Sequence, residues 1–150
     1  MQQFTVSQSA ADSEINQAAF FLIDFFTHMA GGRRGDINVQ DWRGLSNIVA
    51  DTQSGALTLL VAKDESTSAA VGVCGVALNG EILHTFVHED HRGLGVGRLL
   101  GEAAMEHGGW FFSAVKENAS MLRAVEGARL LSEQSLTYVY DIRPLVSRGR

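Results

Sequence analysis

Glu81-Ile82-Leu83-His84-Thr85-Phe86-Val87-His88-Glu89-Asp90-His91-Arg92-Gly93-Leu94-Gly95-Val96-Gly97-Arg98-Leu99-Leu100 runs from an apolar stretch through a glycine-rich turn into a second apolar run, within a chain of 150 residues. The preceding Asn79-Gly80 favours a tight hairpin, so Glu81 to His88 is expected to be a strand. After Gly95, the apolar positions Val96, Leu99, Leu100 and Ala103 keep helical spacing up to His107, and Gly108-Gly109 stops the helix. Glycines between a strand and a helix let backbone amides form a concave loop that continues into the positive end of the helix dipole. That is an anion site, flanked here by Arg92 and Arg98, and the missing side chains would let a pyrophosphate approach the main chain.

Two familiar phosphate loops do not fit. A dinucleotide fold wants Gly-x-Gly-x-x-Gly in a strand-helix-strand unit, and the spacing here differs. A P-loop needs Lys-Ser or Lys-Thr after its last glycine, whereas Gly97 is followed by Arg98-Leu99. The remaining alternative is a glycine turn that binds nothing.

The flanking sequence supplies the context. Phe4 and Val6 alternate with polar residues in a first strand, and Asp12 stands as the expected N-cap of a helix running to about Ala30. Its stripe Ile15, Ala19, Leu22, Phe26 and Met29 is widened by Phe20, Phe21, Ile23 and Phe25, which predicts burial on two sides. A glycine-rich loop from Gly31 precedes Asn38 and Asp41, a capping arrangement for a second helix carrying Trp42, Leu45 and Val49. Leu57 to Val61 and Val71 to Leu78 are expected strands, antiparallel to each other and to the strand from Glu81. Trp110 to Val115 is expected to be a fifth strand, Asn118 to about Gly127 a helix, and Leu136 to Ile142 the closing strand. The whole reads as one domain, 1–150, with 144–150 a frayed tail.

A hydrophobic share of 45% supports one core, and a formal net charge of -5 argues against sequence-independent binding to nucleic acid. The most apolar run, Ala18 to Ile23, falls well short of the ~20 residues needed to span a bilayer, so no membrane role is expected. Cys74, the single cysteine, sits in an apolar run and fits a small core residue in a reducing, cytoplasmic setting. His84, His88 and His91 lack the cysteine or carboxylate spacing of a zinc shell, so no metal is expected. Arg34-Gly35-Asp36 and Asn118-Ala119-Ser120 match an adhesion tripeptide and a glycosylation sequon, and are taken as chance matches.

The segment Glu81 to Leu100 resembles the central motif of the GNAT acetyltransferases, whose signature is Gln/Arg-x-x-Gly-x-Gly/Ala. The element order also resembles that family across nearly the whole chain. The resemblance implies an α/β (α+β) fold, with a mixed, mostly antiparallel central sheet flanked by about four helices. It implies acetyl-coenzyme A (acetyl-CoA) as cosubstrate, with the amides of Gly93, Leu94, Gly95, Val96, Gly97 and Arg98 holding the pyrophosphate and Arg92 opening the loop. Thr85, Phe86 and Val87 match the strand end whose main chain pairs with the pantetheine arm, and the Val87 amide would point at the thioester oxygen. Asn118 matches the asparagine that contacts the cofactor arm after the fifth strand.

A primary amine is mostly protonated at neutral pH, so its acetylation needs a route for a proton to leave. Glu81 falls where lysine-modifying members of the family carry a catalytic glutamate, and is the expected base, with His84 and His88 as alternatives on the same strand. The tyrosine that protonates the departing thiolate in many members is missing: the two registers of the helix after Asn118 give Val125 or Arg123. Tyr138 and Tyr140 alternate with Val139 as a half-buried strand would. The expectation is an N-acetyltransferase acting by direct attack in a ternary complex, and the alternative is a non-catalytic relative that binds acyl-CoA or serves structurally. Short loops suggest an open cleft suited to a peptide or protein amine, and an exposed final strand could pair across a homodimer.

Overall fold

The computed structural model describes residues 3–29, 39–116 and 126–147. In chain order its elements are β1 (Phe4–Gln8), α1 (Asp12–Met29), α2 (Val39–Ser54), β2 (Leu57–Asp64), β3 (Ala70–Ala77), β4 (Ile82–Val87), a 3-10 turn (Glu89–His91), α3 (Val96–Glu106), β5 (Phe111–Val115), β6 (Arg129–Glu133), β7 (Thr137–Asp141) and α4 (Arg143–Ser147). The strands form an antiparallel sheet β1-β2-β3-β4 and a second antiparallel sheet β5-β7-β6. This is the mixed α+β architecture expected from the sequence.

The unbroken apolar runs of β2 and β3 follow from burial on both faces. Leu60, Ala62, Val71, Cys74 and Val76 pack with Ile82 against Val96, Leu100 and Ala104 of α3. On the opposite face Leu57, Leu59, Val61 and Val73 pack with Phe86 against Ala18, Phe21 and Leu22 of α1 and Leu45 and Ile48 of α2. Gly72 lets α3 lie close, since a Cβ there would meet Leu100 Cδ1 at 3.0 Å and Val96 Cγ1 at 3.1 Å. Cys74 is a core residue as expected, and burial pushes its thiol up to about 12.

Several local expectations are corrected. Asp12 is the first helical residue of α1, and the cap comes from Glu14, whose Oε1 accepts from the Ala11 amide at 3.0 Å while the Ile15 amide donates to Ala11 O. Among the described side chains of that helix Ile15 and Leu22 are inside, while Phe20, expected to widen the buried stripe, is 70% exposed. The expected cap at Asn38 and the helix from Asn118 lie outside the described residues. The sequence reading missed β6, so the final strand β7 is flanked by β5 and β6 and offers no free edge. Residues 143–147, where the tail begins, form α4, whose Leu145 packs against the α3-side core.

Candidate active site

The two sheets touch at one end of β4 and β5. Glu81 and Phe111 form a parallel bridge, and the Trp110 amide donates to Gly80 O at 2.9 Å. Among the described residues no other bridge joins β4 to β5, so beyond this vertex the β4 edge that faces away from β3 is open. The vertex is braced from β7. The Arg143 guanidinium makes a paired contact with the Asp141 carboxylate, at 2.9 Å and 2.7 Å, and lies 4.7 Å from the Trp110 ring centre.

Halfway along β4 the ladder is interrupted. Gly75 pairs with Leu83 and Val73 with Phe86, so His84 and Thr85 together oppose Cys74 alone. This is a β-bulge, and His84 takes the left-handed conformation it requires, with φ of 56°. Past the bulge, the His88 amide donates to Val71 O at 2.8 Å. Alternation along a strand then turns the Phe86 amide toward β3 and the Val87 amide and carbonyl toward the open edge. Of the strand-end residues nominated from the sequence, Val87 thus presents its main chain to the cleft. Phe86 contributes a ring buried against Phe21, 5.7 Å between centroids.

Arg92 does not reach outward. Its Nε donates to Val87 O at 3.0 Å and its guanidinium lies 5.8 Å from the Phe86 ring centre, so it ties the glycine loop to the end of β4. Gly93 and Gly95 have φ of 77° and 86°, a region that L side chains disfavour, and Gly95 is the N-cap of α3. The first intrahelical bond runs from the Leu99 amide to Gly95 O at 3.1 Å, so the amides of Val96, Gly97 and Arg98 have no partner within the helix. A Cβ built at Gly93, Gly95 or Gly97 would meet no atom within 4 Å, so this amide cradle is open from outside. Leu94 is 48% exposed at its rim, and Arg98 is held by Glu102 one turn on, at 3.2 Å. The cradle therefore fits a pyrophosphate, both in its free donors and in its open space.

Glu81 is half-buried at the vertex, its amide capped by Asn79 Oδ1 at 3.0 Å. His88 and His91 are structural: His88 Nδ1 accepts from the Asp90 amide at 3.3 Å, and His91 packs edge-on to Phe4. Among the described residues no group of His, Cys, Asp and Glu is placed to hold a metal ion. Asn118 and the two tyrosine registers, Arg123 and Val125, lie outside the described residues. The sequence reading missed the bulge at His84 and the single-bridge vertex. The only sequence-level sign of the bulge is that His tolerates the left-handed region better than most residues.

Against known proteins, residues 20–110 match the model of the Acetyltransferase (GNAT) family, more than half of the chain. No curated protein matches by sequence. Among solved structures, a GNAT-family acetyltransferase from Staphylococcus aureus Mu50 superposes with a TM-score of 0.64 at 14% identity, covering 92% of this chain and 97% of that one. The PaiA N-acetyltransferase of Thermoplasma acidophilum, solved with coenzyme A, gives 0.62 at 10% identity over 92% and 97%. Arabidopsis thaliana NAA60, solved with a bisubstrate analogue, gives 0.62 at 12% identity over 92% and 96%.

Proposed function

The chain belongs to the GNAT acetyltransferase family, and from that premise we propose that it transfers the acetyl group of acetyl-CoA to a primary amine in a ternary complex. The observation that carries the proposal is the open amide cradle at residues 93–98, set beside a strand edge left free past the Glu81–Phe111 bridge. The cradle holds the pyrophosphate, and the free edge at Val87 pairs with the pantetheine arm as an added strand would. When bound, the coenzyme supplies an acetyl group activated as a thioester. The Val87 amide stabilises the negative charge that develops on the acetyl oxygen, a contribution typically worth ~10²–10³ in rate. Glu81 takes up the amine proton through water.

The coenzyme complex of the PaiA relative and the bisubstrate complex of the NAA60 relative support a two-substrate cleft of this kind. Short connections such as Glu133-Gln134-Ser135 leave the acceptor side open, which suits a peptide or protein amine. A second reading, a relative that binds acyl-CoA without catalysis, draws on the absence of tyrosine at Arg123 and Val125. Thiol release from acetyl-CoA in the presence of a panel of peptide amines separates the two. We expect amine-dependent release that falls ~10²-fold or more in Glu81→Gln, with little change in KM for acetyl-CoA. Binding of acetyl-CoA with no amine-dependent release would favour the non-catalytic reading.

A further inference from the structure

We infer that His84 is the group that takes the proton directly from the acceptor amine, ahead of Glu81 in the proton's path. The inference rests on the acetyl-transfer reading above. Three observations converge on it. The bulge sets His84 at the open stretch of β4, in a left-handed conformation that most residues avoid. The two faces of β4 are then divided: Ile82 and Val87 pack toward α3, which carries the glycine cradle, while Leu83 and Phe86 pack toward α1 and α2. A coenzyme anchored at the α3 face presents its acetyl group at the strand edge, and a nucleophile has the α1–α2 face from which to approach. Asp51, the charge that acts on His84, lies on α2.

The surroundings suit a base. Burial holds the His84 imidazole below the usual histidine range, which favours the neutral form that can take up a proton, and Asp51 opposes that shift. On the partner strand Cys74 stays protonated, and β5 brings no ionisable side chain in Phe111–Val115. On β4 itself Glu81 lies three residues back, about 10 Å along an extended strand, so a proton passes between the two only through water. The step balances: the amine nitrogen bonds to the acetyl carbon, the carbon–sulfur bond breaks with its electron pair on sulfur, and the surplus proton on nitrogen moves to His84.

The test combines an NMR titration of the His84 ring with pH profiles of kcat/KM for the native chain, Asp51→Asn and His84→Gly. Glycine accepts a φ of 56°, so His84→Gly removes the imidazole while keeping the bulge. We expect the ring to titrate below the usual histidine range, and lower still in Asp51→Asn, because loss of the carboxylate disfavours the charged form. The acid limb of kcat/KM should move with it. His84→Gly should lose ~10²–10⁴ in rate, regain part of it with added imidazole, and bind acetyl-CoA as the native chain does by calorimetry. An unchanged acid limb in His84→Gly, a loss that imidazole does not rescue, or a ring that ignores Asp51→Asn overturns the His84 assignment alone. A native chain that acetylates no amine overturns it together with the transfer reading.

Discussion

Gly95 and Gly97 stand two residues apart in the same cradle but answer to different constraints. Gly95 sits at a φ of 86°, whereas Gly97 lies within the first turn of α3, and neither has an atom within 4 Å of where a Cβ would be. Alanine should therefore cost about 1 kcal/mol at Gly95, from backbone strain alone. At Gly97 it should be neutral or stabilising by up to about 1 kcal/mol, from helix propensity. Denaturant melts of the two variants check this, and equal destabilisation would contradict the geometry. The cradle was legible in the sequence because glycine spacing and a strand-to-helix change of period are local signals. The position of His84 was not, because a bulge depends on how β3 and β4 register, which no local pattern encodes.

At the scale of elements, β2, β3 and α3 could be read directly from apolar patterning, since both faces of the inner strands and one stripe of the helix are buried. The strand β6 escaped notice because Arg-Leu-Leu-Ser-Glu neither alternates nor carries β-branched residues, and all five positions are exposed. Its presence moves β7 to the centre of its sheet, where Asp141 pairs with Phe111 on one side and Arg129 on the other. The Arg143 guanidinium beside Asp141 holds that buried carboxylate below its ordinary range. An acid whose folded pKa is depressed contributes stability above its unfolded value, near 3.9, and that contribution is lost as pH falls through the folded value. Asp141→Asn should therefore lower stability at neutral pH and flatten its decline below pH ~4, as read by chemical denaturation at stepped pH. A native-like slope below pH ~4 in the variant would assign the acid sensitivity to other groups.

Across the whole molecule, the described residues leave an opening beside β4 with two kinds of donor along it. Among the described residues the sheets share one bridge, Glu81–Phe111, which leaves a strand edge free, and α3, seated closely over Gly72, begins with amides that have no partner within the helix. A ligand with an anionic centre and an extended amide-bearing arm answers both features, as coenzyme A does. The test is a calorimetric titration of acetyl-CoA into the native chain and into Gly97→Trp, a position where nothing lies within 4 Å of a Cβ and the backbone is free of left-handed strain. Binding of order micromolar is expected in the native chain, weakened at least ~10-fold in a variant that melts like it. A well-folded native chain that takes up no acetyl-CoA, or a Gly97→Trp variant that binds it undiminished, would rule out the cradle as the coenzyme site.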